Sequence, residues 1–183
     1  MDKPVKEQID NLGSTDDRIR FSALQSILEL TESQVDWIYD VWDDLFEKLD
    51  HENSFQRSIA IMLLCNLAKS DTEDRLADSL DLLLAHTKDG KLITSRQCIQ
   101  SVWKVATTSD RSRVEVLAHL ERRFEECFEE RHYNLIRQDI IQSLRHLYEE
   151  EKDDTLLTRA QELILEEKEG KYRKKYEAIL KAI

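Results

Sequence analysis

Apolar residues recur along this chain at intervals of three and four, which is the periodicity of one face of an α-helix. The stretch RIRFSALQSILEL (18–30) shows the pattern first, since Arg20 is followed at plus three, plus seven and plus ten by Ala23, Ile27 and Leu30. The same frame begins again at Arg57, Arg96, Arg137 and Arg173. These arginines are 37, 39, 41 and 36 residues apart. Five copies at a near-constant spacing indicate an array of helical repeats.

A second helical pattern lies between successive copies of the frame. The segment SQVDWIYDVWDDLFEKL (33–49) places Val35, Ile38, Trp42, Leu45 and Leu49 on one side of a helix. Ser33 and Asp36 resemble a capping box, which predicts a helix start there and leaves Trp37 off the apolar face. A later segment repeats the pattern and assigns Val114 and Phe128 to the core, and the Arg96 frame assigns Trp103 to the core. Each repeat is therefore predicted to be two helices, A then B, and Gly13, Gly90 and Gly170 fall just before B helices.

The B-helix pattern resembles that of the HEAT and armadillo-like repeat families, as IRFSALQSILEL (19–30) and IRQDIIQSLRHL (136–147) illustrate. The resemblance implies an all-α fold, a right-handed α-α superhelix of about five antiparallel helix pairs in a single domain. The repeats are predicted at 1–30, 31–69, 70–108, 109–148 and 149–183. The resemblance also implies a convex surface of A helices and a concave surface of B helices.

The repeat arginines are expected to have a structural role. At about 100° per residue, each arginine lies close to the direction of its plus-seven partner, on the packed side of helix B. The resemblance implies that they bridge repeats by bonding turn carbonyls or carboxylates of a neighbour. These arginines are Arg20, Arg57, Arg96, Arg137 and Arg173.

Composition agrees with an all-helical chain. The 183 residues include only three glycines and one proline, and 36% are charged. No segment has the apolar length of a membrane span or signal peptide. Three widely spaced cysteines (Cys65, Cys98 and Cys127) do not suggest a disulfide framework and are expected to be buried apolar side chains. We therefore expect a cytoplasmic protein.

The charge is unevenly distributed between the two sets of helices. The A segments sum to −20 and the B segments to +9, which together give the net charge of −11. The predicted convex surface is thus acidic and repels nucleic acid and membranes. The concave surface is mildly basic, but five of its positive charges belong to the repeat arginines.

Positions one, five and nine after each repeat arginine are expected to face outward. They form a nearly neutral stripe that is rich in amides and dotted with apolar groups, and that also includes Thr94 and Val105. Amides can pair with the N–H and C=O groups of an extended peptide, while Phe21, Phe55 and Met62 could hold its side chains. The candidate partner-binding residues are Phe21, Gln25, Phe55, Ser58, Met62, Asn66, Gln97, Ser101, Gln138, Gln142 and His146.

No catalytic or cofactor motif accompanies this stripe. The five histidines and three cysteines lack metal-ligand spacing, and neither a glycine-rich phosphate loop nor a G-x-S-x-G elbow occurs. Acidic runs such as EEEKDD (149–154) are typical of exposed helix ends. We therefore expect no enzyme activity, no cofactor and no metal.

The function expected from these features is that of a scaffold or adaptor that binds a segment of a partner protein on its concave face. The alternative is a nucleic-acid binder, or a HEAT-like protein that excises alkylated DNA bases. Against that alternative stand the acidic net charge, the use of most of the concave positive charge by the repeat arginines, and the apolar B-helix frames, in which Asp139 is the only aspartate. A homodimer through the C-terminal helix is a further possibility, because Leu180 and Ile183 end the apolar frame without a polar cap.

Overall fold

The computed structural model describes residues 1–181, which form helices and connecting turns without a β-strand. The chain divides into two compact units, Met1–Leu83 and Leu84–Ile183. The all-α arrangement of paired helices predicted from the periodicity is confirmed. Ile183, the last position of the fifth apolar frame, lies outside the described residues.

The first unit is built from two helix pairs followed by two shorter helices. The pairs are α1 (Lys3–Asn11) with α2 (Asp17–Leu30) and α3 (Ile38–Leu49) with α4 (Ser54–Leu67). They are followed by α5 (Arg75–Asp78) and α6 (Leu80–Ala85), within which the unit boundary falls. Helix α4 packs against both α2 and α3, and ten of its 14 residues are buried. It is the central helix of this unit.

Side-chain caps fix where several of these helices begin. The Asp16 carboxylate accepts hydrogen bonds from the backbone N–H groups of Arg18 and Ile19 at the start of α2. The Asn53 side chain accepts from the N–H of Phe55 at the start of α4, at 2.9 Å. Because the first N–H groups of a helix have no partner within it, these caps stabilise each start by about 1 kcal/mol.

The second unit contains α7 (Leu92–Ser101), α8 (Trp103–Ala106), α9 (Asp110–Glu126), α10 (Tyr133–Glu151), α11 (Asp154–Glu166) and α12 (Gly170–Lys181). Helix α10 packs against all five of the others. Short 3-10 helices (Ala68–Ser70, His86–Lys88 and Cys127–Glu129) extend the ends of α4, α6 and α9. The second unit is therefore organised around the B helix of the fourth repeat.

The start of α3 differs from the prediction. The helix begins at Ile38 rather than near Ser33, and Trp37 precedes it without a side-chain cap. Residues 34 and 35, which precede α3, instead form hydrogen bonds with the residues that follow α4. Gln34 Nε2 donates to the Lys69 carbonyl at 2.7 Å, and the Val35 N–H donates to Ser70 Oγ at 3.0 Å. These tertiary bonds hold Trp37 in the core, where it is 6% exposed.

Most apolar positions of the repeated frames are buried, as are all three cysteines. Three residues assigned to the core are exposed instead, namely Leu30, Val114 and Phe128. They lie at the margins of the apolar stripes of their helices or just beyond a helix end. Helical periodicity identifies the direction of a face, but the width of the face depends on which neighbours cover it.

Candidate functional site

Three of the repeat arginines donate hydrogen bonds to backbone carbonyls in the turn between the two helices of their own repeat. Arg20 Nη1 donates to the Ser14 carbonyl at 2.8 Å, and Arg57 Nη1 donates to the His51 carbonyl at 2.7 Å. Arg173 Nε donates to the Glu167 carbonyl at 3.0 Å. Because helical side chains point back towards the N-terminus of their helix, an arginine in the first turn of helix B reaches the carbonyls where helix A ends. Bonding to the arginine's own turn, rather than to a neighbour, was not predicted.

The other two repeat arginines connect consecutive repeats. Arg96 on α7 forms an ion pair with Asp139 on α10, with Nε 2.6 Å from Oδ2. This hydrogen bond raises the pKa of Arg96. Arg137 on α10 donates to Glu167, which follows α11, at 3.1 Å, and its Nε donates to the Phe124 carbonyl at the end of α9. The structural role predicted for the arginines therefore takes two forms.

In the first unit the predicted outward stripe is only partly exposed. Phe21 and Phe55 are 64% and 61% exposed, Gln25 is exposed and Met62 is half-buried. Ser58 and Asn66 do not face outward as predicted, since they are 5% and 2% exposed.

The burial of Asn66 has a direct cause in the packing of the first unit. Its Nδ2 donates to the Leu28 carbonyl at 2.9 Å and to Thr31 Oγ1 at 2.8 Å, so that its amide joins α4 to the end of α2. Because α4 has neighbours on two sides, Ser58 and Asn66 lie in helix contacts rather than on the surface.

In the second unit, five predicted residues lie on adjacent helices and remain partly accessible. They are Gln97 and Ser101 on α7 and Gln138, Gln142 and His146 on α10, all half-buried. Thr94 and Val105, which the pattern placed on the same stripe, are buried. Ile93, one turn before Gln97, is 68% exposed instead. We refer to Gln97, Gln138 and Gln142 as the amide row.

An aromatic pair lies beside the amide row. The indole of Trp103 and the imidazole of His146 are inclined by 30° with their ring centroids 5.4 Å apart. The His146 ring is within hydrogen-bonding distance of Gln142 and of Glu149, at 3.2 and 3.3 Å. Trp103 was assigned to the core, but it is half-buried. Together, the amide row and this pair form a surface with both hydrogen-bonding and apolar groups.

A second feature of this unit was not anticipated from the sequence. Phe128, Tyr133 and Tyr172 form a run of ring contacts, with centroids 5.1 and 5.8 Å apart. Lysine ammonium groups lie over these rings, Lys168 at 5.2 Å from the Phe128 centroid and Lys171 and Lys175 at 4.6 and 5.9 Å from the Tyr172 centroid. We call these six residues the aromatic–lysine cluster. The KYRKK run (171–175) is the only local sequence signal of this cluster, because its three rings come from three separate elements.

The net negative charge of the chain arises in the first unit. Residues 1–83 hold 8 of the 27 Lys and Arg residues and 19 of the 38 Asp and Glu residues, which accounts for the entire net charge of −11. The second unit contains 19 of each and is neutral. Within the second unit, a groove beside α9 and α11 is lined by Glu121, Glu125, Glu162 and Glu166. Arg159 also lines this groove and pairs with Glu121, so part of the acidic charge of the groove is neutralised.

Residues 1–181 offer neither a metal site nor a membrane-spanning helix. No group of three or more His, Cys, Asp or Glu side chains in this range is arranged to hold a metal ion. No helix in the same range combines the length and the apolar character needed to cross a membrane.

Comparisons with known proteins identify the class of fold. Among solved structures, an engineered protein aligns with a TM-score of 0.57 at 18% identity, covering 96% of this chain and 78% of the other. A second engineered protein aligns with a TM-score of 0.54 at 12% identity over 96% and 77% of the two chains. Neither the protein-family models nor the curated proteins contain a match to this sequence.

A further neighbour is a designed armadillo repeat protein, whose structure was determined in complex with the peptide (KR)4. It aligns with a TM-score of 0.56 at 12% identity over 97% of this chain and 81% of the other. At these identities the similarity concerns the fold alone. The chain therefore has a helical-repeat fold of the kind found in designed armadillo-like proteins.

Proposed function

We propose that this chain is a non-enzymatic protein-interaction module that holds an extended segment of a partner protein on the B helices of its second unit. The observation that carries the proposal is the amide row, whose three glutamines are half-buried on the adjacent packed helices α7 and α10. Gln97 Oε1 is itself buried, so the accepting groups of the row are those of Gln138 and Gln142. A primary amide both donates and accepts hydrogen bonds. Gln138 and Gln142 can therefore pair with both the N–H and the C=O of a bound backbone without selecting a particular side chain, whereas Gln97 can only donate.

The spacing of the amide row suits an extended chain. Neighbouring packed helices lie about 8–10 Å apart, which corresponds to about three residues of an extended peptide. A peptide that crosses from α7 to α10 would meet Gln97 first and then Gln138 or Gln142. The latter two are one helical turn apart, about 6 Å, so either could meet the next backbone group.

The surroundings of the row offer apolar contacts for peptide side chains. Ile93 lies on one side of it and the Trp103–His146 pair on the other. Hydrogen bonds to the backbone together with pockets for alternate side chains are the usual means of holding an extended peptide. The designed armadillo neighbour, whose structure was solved in complex with a peptide, supports the same use of this fold.

The three cysteines are buried thiols, and no disulfide joins them within residues 1–181, which is compatible with a reducing compartment. We therefore propose a cytoplasmic location for the module. The homodimer expected through the C-terminal helix is a separate proposal with its own test. A homodimer through α12 would show itself as a doubled mass in light scattering.

The test is a selection of random 12-residue peptides displayed on phage against the immobilised protein. Peptides that are enriched are then labelled, and their dissociation constants are measured by fluorescence anisotropy. The variant Gln138→Ala/Gln142→Ala should weaken binding at least about tenfold, because each lost hydrogen bond costs about 1 kcal/mol. Gln161→Ala is the matched control, since Gln161 is an exposed glutamine on α11.

Two results would overturn this function. Either the selection enriches no peptide, or the enriched peptides bind the double variant as tightly as the wild type. Far-UV circular dichroism of each variant establishes that the helices are intact before binding is compared.

A further inference from the structure

We propose that the segment held by the second unit is acidic, and that Lys171 and Lys175 of α12 select it. This inference rests on the proposed function, because it names the chemistry of the ligand for the same surface. It starts from the aromatic–lysine cluster, where both ammonium groups lie over the ring of Tyr172.

The orientation of α12 places these lysines beside the surface of α10. Three positions mark the side of α12 that faces α10. The Tyr172 ring contacts Tyr133, the Tyr176 hydroxyl donates to the Asn134 carbonyl, and the Ile179 carbonyl accepts from Arg145. Arg173 marks the other packed side, since it bonds the carbonyls that end α11.

At about 100° per residue, Lys171 and Lys175 fall on the exposed side that borders α10, away from α11. Gln138 and Gln142 of the amide row are half-buried and lie on the solvent-facing side of α10. A segment bound along the amide row that continues onto α12 therefore meets the two lysines.

The two lysines differ from Arg96 and Arg145 of this surface in having no carboxylate partner within ion-pairing distance among residues 1–181. Neither Lys171 nor Lys175 makes an ion pair with the residues that the structure describes, and both are exposed. A cation over an aromatic ring keeps its full charge. Both lysines can therefore attract a carboxylate.

The carboxylates beside the amide row, by contrast, are occupied. Asp139 accepts from Arg96 and from Gln100. Glu149 accepts from Arg145, and this hydrogen bond lowers the pKa of Glu149 below its ordinary value. Arginines thus neutralise the acids of this surface, whereas the lysines of α12 stay available. The charge presented to a ligand is positive, which favours an acidic segment.

This preference is the reverse of what the fold neighbour displays. The designed armadillo protein was solved with the basic peptide (KR)4. We expect the present chain to bind the mirror-charged peptide (DE)4 instead. The acidity of residues 1–83 does not decide this, because the second unit as a whole is neutral.

The experiment compares fluorescein-labelled (DE)4 and (KR)4 by anisotropy at low and at high salt. The wild type should bind (DE)4 at least about tenfold more tightly than (KR)4, and salt should reduce that difference. Lys171→Glu/Lys175→Glu should lose at least about tenfold of the (DE)4 affinity. The control Lys3→Glu/Lys6→Glu makes the same charge change at exposed lysines of α1 and should stay within about twofold.

The possible failures can be told apart. If (KR)4 binds as tightly as (DE)4, or if the α12 variant keeps its affinity, the acidic-ligand inference is wrong. When phage-selected peptides still depend on Gln138 and Gln142 in that case, the proposed function survives. If those peptides do not depend on the two glutamines, the proposed function has failed, whatever the charge preference.

Discussion

Asp139 of α10 receives a two-pronged contact from Arg96 of α7. Arg96 Nε lies 2.6 Å from Oδ2 and Nη2 lies 3.0 Å from Oδ1. Gln100 Nε2 donates a further bond to Oδ1 at 2.8 Å. The aspartate side chain is 6% exposed, so three donors compensate for the hydration that it lost on folding. An aspartate within an apolar helix frame is thus explained by the contact between the third and fourth repeats.

Removing the carboxylate should destabilise the second unit. We expect Asp139→Ala to lower the free energy of unfolding by about 2–4 kcal/mol, since it leaves a partly buried guanidinium without its anion. Arg96→Ala should also destabilise, and the double variant should lose less than the sum of the two. Urea unfolding of all four proteins measures this coupling. Strictly additive losses would show that the ion pair does not act as a unit.

The buried pair of Arg137 and Glu167 should be more sensitive. Their side chains are 5% and 0% exposed, and the guanidinium lies 4.3 Å from the centroid of Phe124. Arg137→Met should cost about 3–5 kcal/mol, because the Glu167 carboxylate is left buried and unpaired.

Adding Glu167→Gln to Arg137→Met should recover part of that loss, as judged from thermal and urea unfolding. Arg137→Lys should not restore the wild-type stability, because an ammonium cannot reproduce the planar stacking of a guanidinium. Full stability in the lysine variant would contradict the role assigned to the aromatic contacts.

His119 should make the stability of the second unit depend on pH. Burial lowers the pKa of His119 below its ordinary value of 6.5, and the positive charges of Arg122, Lys88 and Arg123 lower it further. The unfolded chain therefore takes up a proton at a higher pH than the folded chain does. The contribution of neutral His119 to the free energy of unfolding is therefore complete above pH 6.5 and is lost as the pH falls below that value.

We expect His119→Gln to remove this part of the pH dependence while keeping a polar partner for Thr87, whose hydroxyl lies 2.8 Å from His119 Nε2. The measurement is the difference in urea midpoint between wild type and variant from pH 7.5 to 5. Parallel curves throughout that range would show that His119 does not contribute.

The cysteines should be unreactive in the native protein. All three thiols are buried, and burial raises the pKa of Cys127. Because the thiolate is the reactive form, native protein mixed with DTNB should release almost no thionitrobenzoate. In concentrated guanidinium chloride, all three cysteines should react. A fast native phase would indicate local opening around one of them.

Local periodicity was sufficient to predict most of the helices, although not the start of α3, because each apolar frame repeats within a few turns of its own helix. The positions of Ile140, Leu144 and Leu147 in α10 follow directly from it, and all three are buried. The exposed surface was harder to predict. Asn66 occupies the same place in its frame as His146 does in α10, yet its helix has neighbours on two sides and buries it.

Contacts between residues that are far apart in the sequence could not be predicted from the apolar periodicity. Trp37 is held by bonds from Gln34 and Val35 to residues 35 positions away. The aromatic–lysine cluster assembles residues from 128 to 175 that share no sequence motif. Such contacts depend on how helices dock, which the period of a single helix does not encode.

Arg20, Arg57 and Arg173 each fasten the turn that precedes their own helix, and this has a consequence for how such a chain can be rearranged. A hairpin whose arginine bonds the turn of its own repeat keeps that contact wherever the hairpin is duplicated or transplanted. The hairpin of Arg96 is different, because its arginine is completed by Asp139 of the next hairpin. A rearranged chain must therefore keep those two hairpins side by side, because separating them would leave the Asp139 carboxylate without its Arg96 counter-ion.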